Sequence, residues 1–70
     1  MATLTAHEAA RVLGITYMTL KKRLERGQFP EPDVPAVARG GRNRWTVTTI
    51  TKYHLRGMAY VHARIRGEED

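Results

Sequence analysis

Cationic side chains fall into two clusters, and each cluster suits the binding of an anion. The first lies on a predicted helix and contains Lys21, Lys22, Arg23 and Arg26. The second surrounds a glycine pair and contains Arg39, Arg42 and Arg44. Guanidinium groups bind phosphates and guanine edges through paired hydrogen bonds, and ammonium groups bind phosphates as point charges. The two clusters therefore predict contact with a polyanion.

The net charge favours the same interpretation. Twelve Lys and Arg against seven Asp and Glu give +5 over 70 residues. Three of the acids are the last three residues, so residues 1–67 hold twelve cations, four acids and a net charge of +8. A small domain with this charge attracts nucleic acid. We interpret residues 1–67 as one DNA-binding domain and residues 68–70 as an acidic, disordered tail.

Residues that perform catalysis or bind metals form no recognisable constellation. Cys and Ser are both absent from the sequence, so the common nucleophiles are missing. His54 and His62 are about two helical turns apart, too distant to bind one zinc ion. Gly40-Gly41 is not a nucleotide-binding loop. We expect no enzymatic activity, no catalytic or metal site, no cofactor and no small-molecule substrate.

Hydropathy predicts a cytoplasmic location. The sequence has no apolar stretch near the roughly 18 residues of a membrane span. Its first residues lack the basic and apolar segments of a secretory signal. We therefore expect no membrane contact.

Two helices are predicted from the signals at their ends. Residues 5–8 form a capping box, and Gly14 suits the left-handed residue that ends a helix, so the first helix spans residues 6–13. Thr16 is a favourable N-cap for a second helix that runs to Arg26. The short turn between them predicts a helix-turn-helix.

The second helix has an apolar side and a cationic side. At 100° per residue, Leu20 and Leu24 share the side that must pack inward. Tyr17 lies beside them, and both core packing and phosphate contact remain open for it. We expect phosphate contacts from Thr16, Tyr17, Thr19, Lys21 and Arg23. We expect base-edge contacts from Lys22 and Arg26, and an apolar contact with a thymine methyl group from Met18.

A proline-containing connector and a β-hairpin follow. Pro30 and Pro32 exclude a helix over residues 28–33, and Phe29 is predicted to enter the core. Residues 34–39 and 42–47 flank the glycine pair and predict a hairpin with a two-residue turn. This turn would pair Arg39 with Arg42, Ala38 with Asn43, Val37 with Arg44, and Ala36 with Trp45.

The hairpin pairing separates apolar from cationic residues. The apolar face would contain Val34, Ala36, Ala38, Trp45 and Val47. The three arginines of the other face oppose one another, which is unfavourable unless an anion neutralises them. The alternative is three solvated arginines on a loop. The candidate DNA-binding residues of the hairpin are Arg39, Gly40, Gly41, Arg42, Asn43 and Arg44.

A last helix is predicted from Thr49 to Arg66, with Thr48 as its cap. Gly57 leaves two outcomes open, one long helix or a break at that residue. The apolar side chains beyond Gly57 would either close the core or contact another protein.

The order of elements predicts an α+β fold, a small winged helix-turn-helix with a two-stranded β-hairpin wing and a C-terminal helix. The segment from Leu4 to Val47 resembles the excisionase family of phages and mobile elements, also called recombination directionality factors, which is related to MerR-like and AlpA-like regulators. The resemblance is carried by Leu4-Thr5, by residues 15–22, by Gly27-Gln28-Phe29-Pro30-Glu31-Pro32, and by Arg42-Asn43-Arg44-Trp45.

The resemblance implies a DNA-binding architectural protein. Several copies would bind double-stranded DNA side by side, bend attachment-site DNA cooperatively and direct an integrase towards excision. Met18, Thr19 and Lys22 would face the major groove, and the hairpin would enter the adjacent minor groove. About six phosphate contacts would give a salt slope near −5. Two alternatives remain, a MerR/AlpA-like transcriptional regulator and a protein-interaction module for an acidic partner.

Overall fold

The computed structural model describes residues 2–36 and 41–68, which form an α+β fold. Within these residues there are four helices and a two-stranded antiparallel sheet. In chain order the elements are β1 (Thr3–Thr5), α1 (Ala6–Leu13), α2 (Tyr17–Glu25), β2 (Arg44–Thr46), α3 (Val47–Arg56) and α4 (Met58–Ile65). None of the helices in the described ranges is long and apolar enough to cross a membrane.

The predicted bounds of α1 and the predicted start of α2 are confirmed, because their end signals are local, while α2 ends at Glu25, one residue earlier than predicted. The Thr5 hydroxyl accepts from the Glu8 amide at 3.3 Å, and the Glu8 carboxylate accepts from the Thr5 amide at 2.9 Å. Gly14 ends α1 at φ +71°, a conformation that costs glycine little. The Thr16 hydroxyl then caps α2 by accepting from the Thr19 amide at 3.1 Å. Only three residues separate the two helices.

The strand β1 was not predicted, and it is the sheet partner of β2. Thr3 pairs with Thr46, Leu4 with Trp45, and Thr5 with Arg44. Three residues are too few for an alternating pattern to stand out in a sequence. The sheet therefore joins the start of the chain to its middle, instead of joining the two sides of a hairpin.

The predicted hairpin register is wrong. Val34, and not Val37, lies opposite Arg44, with backbone hydrogen bonds of 3.0 and 2.9 Å between them. Side chains on either side of this bridge also bond the backbone. The Asn43 side-chain oxygen accepts from the Ala36 amide at 2.8 Å, and the Asp33 carboxylate accepts from the Thr46 amide at 3.0 Å.

The new register also corrects the predicted apolar face. Trp45 is fully buried, but Val34 shares the face of Arg44 and is 48% exposed. Ala36 is exposed as well, and Val47 belongs to α3 instead of a strand. Ala38 and the predicted pairs of Arg39 with Arg42 and Ala38 with Asn43 fall on residues 37–40, which lie outside the described residues. Residues 69–70 of the predicted acidic tail lie outside them too.

The last predicted helix is two helices, and its cap differs from the prediction. Thr46, not Thr48, caps α3 by accepting from the Thr49 amide at 3.1 Å. The Thr46 amide donates to Asp33, and Thr46 is the extended last residue of β2. The chain breaks at Gly57, where φ +62° and ψ −135° are open to glycine alone.

The core is aromatic and lies between the helices and the connector. Phe29 is 2% exposed, as predicted, and its ring meets those of Trp45 and Tyr53 edge-on, with centroids 5.4 and 4.8 Å away. The Trp45 indole donates to the Pro30 carbonyl at 2.8 Å. The helix α4 covers this core through Tyr60 and Val61, both 2% exposed. Apolar residues beyond Gly57 therefore do close the core.

Candidate nucleic-acid interface

The helix α2 and its C-cap present three cations outward, as the periodicity predicts. Leu20 is 1% exposed and Leu24 packs against the core, so this side faces inward. Lys21, Lys22 and Arg26 are exposed, and Met18 is 58% exposed. The outer side of α2 thus combines an apolar side chain with ammonium and guanidinium groups, as base edges and phosphates require.

Two threonines hold the start of α2. The Thr16 hydroxyl accepts from the Thr19 amide at 3.1 Å and donates to the Thr19 hydroxyl at 2.9 Å. Both residues were predicted to contact phosphate. Thr16 is exposed and Thr19 is partly buried. Their mutual bonds fix the end of the helix whose amides and dipole attract anions.

Arg23 points away from the exposed cations of α2. Its guanidinium donates to the Tyr53 hydroxyl at 3.3 Å, and that hydroxyl donates to the Gln28 carbonyl at 3.2 Å. The side chain is partly buried. Arg23 therefore joins α2 to α3 and to the connector, a structural role that the sequence did not indicate.

The segment before and within β2 supplies the second group of cations. Gly41, Arg42 and Arg44 are exposed. Arg44 donates to the Thr3 hydroxyl at 3.2 Å, across the sheet. The side-chain oxygen of Asn43 accepts from the Ala36 amide, so Asn43 is held against the residue that follows the connector and Pro35. Arg39 and Gly40, which were also predicted to contact DNA, lie outside the described residues.

A groove of about 480 Å³ lies between α2 and this segment. Lys21 on one side and Arg42 on the other both line it. Cations from the two clusters, 21 residues apart in the chain, therefore border one concave surface. The residues that line the groove are Thr5, Ala6, His7, Tyr17, Leu20, Lys21, Leu24, Glu25, Ala36, Gly41, Arg42, Asn43 and Trp45.

His7 belongs to this surface, and sequence reasoning missed it. Its imidazole stacks on the phenol of Tyr17 with centroids 4.1 Å apart and planes inclined by 10°. Tyr17 is 37% exposed, which excludes full burial in the core. The two residues are neither adjacent nor at helical spacing, and only the turn between α1 and α2 brings them together.

Two acidic side chains, Glu8 and Glu25, lie at or near the groove. A hydrogen bond from the Thr5 amide lowers the pKa of Glu8, and the charges of Arg44 and Arg11 lower it further. Glu25 lines the groove itself. Since Lys21 and Arg42 also line the groove, cations outnumber acids among its described lining residues.

Among the described residues, no group of three or more His, Cys, Asp or Glu side chains could hold a metal ion. Comparison of the chain with protein-family models, with curated proteins and with solved structures finds no match. The function proposed below therefore rests on the geometry and the charge of the surface around the groove.

Proposed function

We propose that this chain is a winged helix-turn-helix protein that binds double-stranded DNA. The observation that carries the proposal is the groove bordered by both Lys21 and Arg42. An α-helix fits the major groove of B-DNA, and an arginine-bearing loop suits the narrower minor groove. A protein that reads adjacent grooves needs cations on both sides of the phosphate backbone that separates them.

The exposed cations of α2 and of the segment around β2 then each have a role. In the proposed complex, Lys22 and Arg26 contact base edges in the major groove, with Met18 against a thymine methyl group. Lys21 and the start of α2 contact phosphates. Arg42 and Arg44 enter the minor groove, where the negative potential of DNA is strongest. The net charge of +8 over residues 1–67 supports such a complex, because a strongly basic domain favours nucleic acid.

The finer proposal is an excisionase that binds attachment-site DNA. The support is the resemblance of residues 4–47 to that family, together with the helix, short turn and helix that precede the connector. In this function, copies bind side by side, bend the duplex and favour excision by a partner integrase. The protein acts by shaping DNA and performs no chemistry of its own.

Fluorescence anisotropy with labelled 20-base-pair duplexes of random sequence tests the DNA-binding proposal. We expect binding at low salt, with an affinity that falls as salt rises with a slope of about −5 for about six phosphate contacts. Arg66→Ala is the control for the loss of one arginine outside the proposed interface, since Arg66 pairs with Glu68 beyond α4 and lines no part of the groove. Absence of duplex binding at 50 mM salt would overturn the proposal.

Bending separates the excisionase from a transcriptional regulator of the same fold. Sites are first selected from random DNA, and the selected duplexes are then run in a circular-permutation gel. Strong bending and cooperative occupancy of tandem sites support the excisionase. A single unbent site contradicts it and favours the regulator.

A further inference from the structure

The groove between α2 and the segment before β2 has one aromatic side. His7, in the first turn of α1, stacks on Tyr17, the first residue of α2, at 4.1 Å between centroids. Both side chains are exposed to solvent. Aromatic ring faces at a basic surface provide a platform on which another flat ring can stack.

The rest of the lining suits a flat ring attached to a phosphate. Leu24 supplies partly buried apolar surface above the buried Leu20 and Trp45, and Lys21 and Arg42 supply two cations. The volume of about 480 Å³ lies within the range of about 300–1,000 Å³ that is typical of small-ligand pockets. The groove is therefore large enough for one nucleotide.

We propose that this groove binds one unstacked nucleotide of single-stranded DNA. The base stacks on the aromatic pair formed by His7 and Tyr17, and the adjoining phosphates lie beside Lys21 and Arg42. Bases within a duplex are stacked on each other, whereas a single strand offers the face of every base. Glu25, which also lines the groove, is an acceptor for an N–H group of the base.

This ligand differs from the duplex of the proposed function. Both would use Lys21 and Arg42, but only the nucleotide needs the aromatic rings of the groove. Duplex binding depends on the outer side of α2 and on Arg44, whereas the nucleotide depends on the rings of His7 and Tyr17. The two activities are therefore separable by mutation.

Trp45 is the only tryptophan in the chain and lies buried beside the groove, so its emission is a second signal beside the anisotropy of a labelled ligand. The probe is a five-nucleotide run of thymidine, titrated at low salt and followed by Trp45 emission and by anisotropy of an end label. We expect saturable binding that Tyr17→Leu weakens by about fivefold or more, the effect of losing one stacked base. Tyr17→Phe keeps the ring and is expected to keep the affinity.

Two further variants test the second ring and provide a control outside the groove. His7→Ala removes the other ring and is expected to weaken binding in the same direction. Leu55→Ala removes a 76% exposed apolar side chain of α3 that does not line the groove, and it is expected to leave affinity unchanged. Thermal melts followed by circular dichroism establish that each variant folds.

The outcomes separate this inference from the proposed function. Absence of saturable binding, or equal affinity of the wild type and Tyr17→Leu, would overturn the inference. Binding of the thymidine probe without duplex binding would support it and contradict the proposed function. Duplex binding without binding of the probe would contradict the inference and support the proposed function.

Discussion

The carboxylate of Asp33 lies 3.3 Å from the guanidinium of Arg64 and joins the connector to α4. The other carboxylate oxygen accepts from the Thr46 amide at 3.0 Å, at the cap of α3. Arg64 also donates to the hydroxyls of Thr49 and Tyr60, at 3.3 and 3.4 Å. One ion pair, with side chains only 26% and 23% exposed, therefore joins elements that are distant in the chain.

Asp33→Ala is expected to destabilise the fold by about 1–3 kcal/mol, since it leaves the Thr46 amide and Arg64 without their shared acceptor. Urea denaturation followed by circular dichroism measures the free energy of unfolding. Glu31→Ala, an exposed acid two residues away, is the control and is expected to change it by less than about 0.5 kcal/mol. Equal stability of the two variants would contradict the role of Asp33.

Stability is expected to fall in acid through the same carboxylate. Partial burial acts to raise the pKa of Asp33, but hydrogen bonds from Thr46 and Thr49 and the charge of Arg64 outweigh it, so the pKa lies below its ordinary 3.8. A lowered folded-state pKa gives stability that is fully present above the unfolded pKa and is lost as the pH falls through the folded value. Unfolding in urea between pH 2 and 7 should show a loss below about pH 4 that is smaller in Asp33→Asn. Identical pH profiles for the two proteins would contradict this assignment.

Gly57→Ala is expected to destabilise the protein by about 1–3 kcal/mol, because alanine is strained at φ +62° and ψ −135°. The cost comes from the backbone alone, since a Cβ there meets no atom within 4 Å. Thr51→Ala, at an exposed position of α3, is the control. A thermal melt in which the Gly57→Ala variant is more stable and more helical would contradict this prediction. It would mean that α3 and α4 can join into one helix without loss of stability.

Lys22→Ala and Arg42→Ala are expected to affect DNA binding differently. Loss of Lys22, on the outer side of α2, should relax sequence preference by about 1–3 kcal/mol at one position. Loss of Arg42, at the edge of the groove, should weaken binding to all sequences and reduce the salt slope by about 1. Selection from random duplexes and anisotropy at several salt concentrations measure the two effects. An Arg42→Glu variant with unchanged affinity would exclude this segment from the interface.

The parts of the fold that the sequence predicts correctly are those that depend on neighbouring residues. Thr5, Glu8 and Gly14 set the ends of α1 through bonds that span three or four positions, and Thr16 does the same for α2. The periodicity of Leu20 and Leu24 likewise identifies the inner side of α2. Each of these signals needs no knowledge of the tertiary structure.

The parts that were missed or mistaken depend on distant residues. The register of β2 is accompanied by hydrogen bonds that the side chains of Asp33 and Asn43 accept from the backbone, and by pairing with β1. Leu4 and Trp45, which pair in this sheet, are 41 residues apart in the chain. A glycine pair in a suitable position favours a short turn only if nothing else competes. The aromatic pair of the groove was missed for the same reason, since His7 and Tyr17 meet only after two helices have folded against each other.

The short sheet restricts how copies of this protein can associate. The ladder between β1 and β2 is three residues long, and Val34 bridges the second side of β2. A neighbouring molecule that added a strand to β1 would gain very few backbone hydrogen bonds, and short edge strands are one way in which proteins avoid such growth. Addition of a strand at β1 would therefore contribute little to any association between copies of this protein.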